Sequence, residues 1–167
     1  QRMQEVRGRI LTVGNTTVDL IHDFADQLTA RRSGRYAYVT LHRKEFTDCR
    51  RTMINVFGAL NELASEFDSM VFPMHPRTRA AMRRHRFGMQ LLNRVDVVDP
   101  IEPIASLAHI KHAQVVITDS GCIQEEALLL SSPCVTVRDN TERPETLVHD
   151  ANVLAGFEPE SIQRSAQ

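Results

Sequence analysis

The chain has 167 residues, enough for one domain with a single sizeable core, and its 42% apolar content is ordinary for a globular protein. With 20 Lys and Arg against 21 Asp and Glu, the formal charge of −1 gives no electrostatic reason to expect nucleic acid or an anionic membrane as partner. The longest apolar runs, such as Ala127–Leu130, are far too short to span a bilayer, and no signal peptide is evident.

In chain order, Ile10–Val13 is apolar, Asn15 is placed to cap a helix running to about Leu28, and Arg31–Arg35 forms a polar basic link. Residues 1–35 thus read as a linker and leading helix that feed a domain over residues 36–167. Tyr36–Leu41 is a β-branched and aromatic stretch that predicts a buried strand. A helix is expected from about Asp48 to Glu66, with Met53, Val56, Phe57, Leu60 and Leu63 at helical spacing. Met70–Met74 predicts a second strand, stopped at His75-Pro76 because proline supplies no amide donor. A short basic helix over Thr78–Arg84 follows, then a strand at Val95–Val98 and a helix from Ile101 to His112, with Pro103 in its first turn. The remaining expected elements are a strand at Val115–Thr118, a helix over Ile123–Leu130, a strand at Cys134–Val137, a short helix at Glu145–His149 and a strand near Val153.

Alternating short apolar strands and helices imply a parallel sheet covered on both faces, the Rossmann-like α/β class. Right-handed crossovers then bring every strand-to-helix loop to one edge, where ligands of such sheets bind. Cys49, Cys122 and Cys134 are odd in number and lack paired spacing, which argues against a disulfide scaffold or zinc ribbon and fits a reducing cytoplasm.

The loops at that edge carry the polar chemistry. Thr118-Asp119-Ser120-Gly121-Cys122-Ile123-Gln124-Glu125-Glu126-Ala127 ends a strand, makes a tight turn and opens a helix. Free amides and the dipole at such a helix start attract an anion such as a diphosphate. Ser120 adds a hydroxyl, Gly121 permits close approach, and Glu126 stands where a carboxylate can accept bonds from ribose hydroxyls. The same residues also fit a plain capped helix, with Ser120 as N-cap and Glu125 or Glu126 offsetting the dipole.

Arg138-Asp139-Asn140-Thr141-Glu142-Arg143-Pro144-Glu145 suggests an ionic lattice holding a loop, with one guanidinium free for a ligand; a solvated charged loop is the plainer reading. His42 with Arg43, and His75 with Arg77, leave adjacent strands as paired His-plus-base corners, although either histidine alone is more often structural. His109 and His112 sit three apart on one helix without an acidic or Cys partner, and read as packing or surface residues rather than a metal site. Cys122, at a helix start that lowers a thiol pKa, lacks an identifiable base and reads as structural.

The segments VTLHRKEF, FPMHPR, VDPIEP, TDSGCIQEEA and VRDNTERPE, in this order and spacing, resemble the non-hydrolysing UDP-N-acetylglucosamine 2-epimerases. ILTVGNTTVDLI is similar to that family's inter-domain linker, so the resemblance covers roughly residues 10–162. It implies one Rossmann-like half of a GT-B-type two-domain fold, the carboxy-terminal half that holds UDP. The absent amino-terminal half would supply the acid and base carboxylates for elimination of UDP and re-addition with inversion at C2. A chain beginning at Gln1 fits such a fragment, inactive alone, and the family's final helix is expected to be missing.

The same resemblance assigns Ser120 and Gly121 to the diphosphate and Glu126 to the ribose. His42, the expected catalytic residue of this half, and Arg143 would face the phosphates or the sugar. Arg43, Glu45 and His75 match positions lining the cleft. The implied partners are UDP and a UDP-N-acetylhexosamine, with no cofactor or metal, in a cytoplasmic homodimer. A GT-B glycosyltransferase domain or a non-catalytic UDP-sugar-binding module are the alternatives. Three departures from the family pattern stand out: Cys122 for a usual glycine, Phe46 for a usual asparagine, and no aromatic within Ile101–Ser106.

Overall fold

The computed structural model describes residue 11 and residues 13–167, apart from the side chains of His149 and Asp150. The predicted apolar stretch at Ile10–Val13 therefore falls partly outside the described residues. Strands β1 (Tyr36–Thr40), β2 (Ser69–Pro73), β3 (Asp96–Val98), β4 (Val115–Thr118), β5 (Cys134–Thr136) and β6 (Asn152–Leu154) form one sheet of order β3-β2-β1-β4-β5-β6. Every neighbouring pair is parallel. This is the Rossmann-like class expected, and its strand order reverses between β1 and β4.

The described residues form seven α-helices: α1 (Thr17–Asp23), α2 (Lys44–Thr47), α3 (Arg50–Leu63), α4 (Pro76–Arg84), α5 (Pro103–His112), α6 (Gly121–Leu129) and α7 (Pro159–Ala166). The period of two along β1 divides the core. Ala37 and Val39 join the layer of Met53, Val56, Phe57 and Leu60 from α3, and Ile162 from α7. Tyr36 and Tyr38 join the other layer with Ile110 of α5 and Ala127 of α6. Each fully buried Leu or Phe in these layers contributes roughly 1.5–3 kcal/mol relative to exposure. Leu28, just before β1, is buried against Leu107 and Ala108 of α5.

Four expectations need correction. The leading helix ends at Asp23, followed by a 3₁₀ turn at Ala25–Gln27, so it stops short of Leu28. Asn15 still serves its start, its side-chain oxygen accepting the Thr17 N–H at 2.9 Å. The helix expected over 48–66 runs as α3, Arg50–Leu63, and tightens into a 3₁₀ turn at Ala64–Glu66, while a separate short helix, α2, precedes it without having been expected. α2 ends at Thr47, whose carbonyl accepts from Arg84 Nη2 at 2.7 Å and lies 3.0 Å from His85 Nε2, so a tertiary partner takes the acceptor that would join α2 to α3. The helix at 145–149 is a 3₁₀ helix, Pro144–Asp150. Finally, the chain does not end its regular structure at Val153: α7 follows, with Pro159 in its first turn, and buries Ile162 in the α3 layer.

Candidate functional site at the sheet switch point

Because α3 and α6 lie on opposite faces, the loops leaving β1 and β4 diverge and open a crevice between them. Thr40 pairs with Thr118 in register, and their hydroxyls meet at 2.7 Å. One residue further, Asp119 is fully buried. Its carboxylate accepts the His42 N–H at 3.0 and 2.8 Å and the Arg43 N–H at 2.7 Å. Burial pushes this acid up to about 6, against the opposing effect of those three hydrogen bonds. Nothing local in the TDSG motif assigns Asp119 a role; its importance lies in a contact 77 residues away in the chain.

Above Asp119, the imidazole of His42 places Nδ1 3.6 Å from Oδ1. Its other side stacks on His75, ring centroids 4.8 Å apart and planes 27° off parallel. The carboxylate alone would favour an imidazolium. Burial first, then the neighbouring His75 ring and the Arg43 and Arg77 guanidinium groups, outweigh that attraction and lower His42 to about 4. The 3.6 Å approach is thus a contact with a neutral ring near pH 7. His75 is also a helix cap: its Nδ1 accepts the Arg77 N–H at 3.0 Å at the start of α4.

The plain-cap reading of Ser120 does not hold. Ser120 occupies the N-cap position of α6, yet its side chain makes no capping bond. A methyl group built on Gly121 would meet Glu142 Oε2 at 3.5 Å, Arg143 Cγ at 3.7 Å and Arg43 Nη2 at 3.9 Å, so the helix start opens onto two guanidinium-bearing side chains. Nor is Arg143 the free guanidinium expected: its Nε lies 2.7 Å from Glu125 Oε1, an ion pair by distance whose N–H is not aimed at the oxygen, and its Nη1 donates to the Glu142 carbonyl at 3.1 Å. Glu126 is half-buried, and burial followed by the charge of Glu125 pushes its carboxyl up to about 7.

The ionic lattice forms around Arg138, which is 4% exposed. It donates to Glu142 Oε2 at 3.0 Å, Glu45 Oε1 at 3.1 Å and Asn140 Oδ1 at 3.1 Å. Glu45 is thereby committed to tying the β1 loop to the β5 loop rather than facing the crevice alone. A buried polar network steadies the same loop: Gln124 accepts from Thr141, whose hydroxyl accepts the Arg143 N–H at 3.0 Å. The crevice itself is lined by His42, His75, Pro100, Ile101, Ser106 and Ser120. Thus His42, Arg43, His75, Ser120, Gly121 and Arg143 converge, while Glu126 stands further along α6.

Phe46 is fully buried, edge-on to Phe57 at 5.5 Å, so an apolar anchor holds the loop. His109 stacks on Tyr38 at 5.4 Å, and His112 Nε2 lies 2.9 Å from the Leu28 carbonyl. Cys49, Cys122 and Cys134 are free thiols, the first two exposed. Among the described residues, no cluster of His, Cys, Asp or Glu is placed to hold a metal, and no helix is long and apolar enough to cross a membrane.

The family model for UDP-N-acetylglucosamine 2-epimerase matches residues 1–167. A UDP-N-acetylglucosamine 2-epimerase of Methanococcus maripaludis is 35% identical over 92% of this chain and 46% of its own length. A UDP-2,3-diacetamido-2,3-dideoxy-D-glucuronate 2-epimerase of Pseudomonas aeruginosa is 36% identical over 95% of this chain and 45% of the relative. The crystal structure of Methanocaldococcus jannaschii UDP-GlcNAc 2-epimerase, in complex with UDP-GlcNAc and UDP, superposes with a TM-score of 0.78 at 30% identity, covering 93% of this chain and 46% of that one. The chain spans about half the length of the curated relatives it matches. With a matched family model over its whole length and the Rossmann-like half it shares with these enzymes, the chain belongs to the UDP-N-acetylglucosamine 2-epimerase family.

Proposed function

We propose that this chain is the UDP-binding half of a 2-epimerase acting on a UDP-N-acetylhexosamine, interconverting UDP-GlcNAc and UDP-ManNAc by elimination and re-addition of UDP. The supporting observation is the start of α6. Ser120 holds an N-cap position without capping, and Gly121 faces Arg43 and Arg143. Uncommitted amides, a hydroxyl and the Arg43 guanidinium at one point suit a diphosphate, with Arg143 close enough to turn its guanidinium from Glu125 to the ligand, and the helix dipole adds to their field.

In this reading Ser120 and Gly121 hold the diphosphate and Glu126 the ribose, while His42, Arg43 and Arg143 stabilise the charge that builds on departing UDP. His75 and Glu45 line or brace the crevice. The acid and base carboxylates belong to an amino-terminal half, so the chain alone binds UDP without turning over substrate. The assembled enzyme is a cytoplasmic homodimer that needs neither cofactor nor metal. The Pseudomonas relative, equally similar, acts on a diacetamido uronate sugar, which favours a specificity reaching beyond UDP-GlcNAc.

Calorimetric titration of the chain with UDP tests the assignment. Saturable binding is expected, weakened about tenfold by Ser120→Ala, the size of one lost hydrogen bond to a charged group. Gly121→Val should abolish it while leaving the domain folded. Binding unaffected by either change would place the nucleotide elsewhere, and epimerase activity in the purified chain would refute its inactivity alone.

A further inference from the structure

His42 is held on two sides by groups of different character. From β2 and α4 come His75, stacked at 4.8 Å, and Arg77, whose Nη1 donates to the His42 carbonyl at 3.3 Å. Arg43 follows in the same loop. From β4 comes Asp119 alone, 3.6 Å from His42 Nδ1. Of these neighbours the arginines can only donate, and the His75 Nδ1 lone pair is already used by the Arg77 N–H at 3.0 Å. A proton on His42 Nδ1 therefore has one acceptor facing it, the Asp119 carboxylate.

The choice of aspartate is specific. The His42 N–H reaches both carboxylate oxygens, and Arg43 N–H reaches Oδ2. An asparagine would present an NH₂ donor to a backbone donor at one of those positions. Burying a carboxylate completely is costly unless it is well satisfied, and a loop could be tied by neutral groups, as Thr40 and Thr118 tie the strands just below. A retained buried charge beside an imidazole has a further use.

We propose that Asp119 is a positioning residue for His42: it fixes the backbone of the β1 loop and holds the imidazole as the Nδ1–H tautomer, with the Nε2 lone pair turned toward the crevice. This rests on His42 being a ligand-facing group of the proposed UDP site. An arriving diphosphate brings negative charge to the Nε2 side. A proton taken from solvent onto Nε2 then bonds to a phosphate oxygen, and the Nδ1–H contact with Asp119 shortens, as such bonds do when ligand binds.

The test is a ¹⁵N–¹H long-range correlation spectrum of the histidine-labelled chain near neutral pH, with His42→Gln assigning the signal. His42 should show a protonated Nδ1 and a bare Nε2, while His75 shows the reverse. In Asp119→Asn, His42 should switch to the Nε2–H form with His75 unchanged, and UDP affinity should fall about tenfold. A wild-type His42 protonated on Nε2 overturns the proposal without any variant, which covers the case of an Asp119→Asn chain that does not fold. A folded Asp119→Asn chain with unchanged tautomer and affinity overturns it equally. The expected tautomers in a chain that binds no UDP would leave this assignment standing and remove the nucleotide-site reading instead.

Discussion

Arg143 approaches Glu125 with Nε 2.7 Å from the carboxylate, so the two consecutive acids of α6 have different fates. Glu125 has a cation; Glu126 keeps a half-buried carboxyl at about 7, raised by burial and by its neighbour's charge. A folded-state pKa above the unfolded value means that the native chain holds the proton more tightly. Stability from this group is therefore full below about 4.5 and falls as pH rises toward about 7. His42, lowered to about 4, acts in the opposite sense, adding stability as pH rises from its lowered value to its unfolded one of 6.5. Comparing Glu126→Gln with wild type isolates the carboxylate. In urea denaturation the variant should gain up to about 3 kcal/mol at pH 7.5 relative to pH 4.5, and should bind UDP more weakly at both. An equal gain at both pH values would show that Glu126 titrates normally.

The two arginines of the 138–143 loop should separate stability from binding. Arg138 is almost fully buried among Glu45, Glu142 and Asn140. Arg138→Met leaves Glu45 without this cation and Glu142 with Arg43 alone, 3.7 Å away, and the lost hydrogen bonds to half-exposed carboxylates should cost roughly 2 kcal/mol, read from the urea midpoint. Arg143→Ala removes a partly exposed pair with Glu125 and should cost under about 1 kcal/mol, while UDP affinity falls at least tenfold. Equal stability losses from the two substitutions would mean that the lattice is not centred on Arg138.

Two helices end on non-glycine residues in the left-handed region, Arg86 after α4 and Ser131 after α6, each at φ +57°. In α6 the Ser132 N–H donates to the Ala127 carbonyl at 2.9 Å and the Ser131 N–H to Leu128 at 3.1 Å, the paired bonds of a Schellman closure. Glycine is the residue this position favours, and Ser131→Gly should raise stability by about 1 kcal/mol, seen as a higher thermal midpoint with UDP binding unchanged. A lower midpoint would show that the serine side chain contributes more than its backbone strain costs.

Most of the sheet was legible because buried parallel strands and amphipathic helices write their periods locally, as in Tyr36–Thr40 and the Met53–Leu63 stripe of α3. The misses were elements decided at a distance. The end of α2 at Thr47 is set by Arg84 and His85 at the end of α4, and α7 leaves little local signal because its short sequence is mostly polar, with Ile162 its one buried residue.

The candidate site divides in the same way. Its motifs, the HR corner, the DSG turn and the TERPE loop, lie within a few residues each, and the sequence alone determined that they would meet at one edge of a parallel sheet. Their division of labour was decided by tertiary structure. That Glu45 braces Arg138, that Arg143 is paired with Glu125, and that Asp119 rather than a loop neighbour faces His42 depend on contacts between residues 18 to 93 positions apart. Local sequence sets the polarity of a loop, whereas partner choice follows from strand order, which brings the ends of β1, β4 and β5 within reach of a side chain.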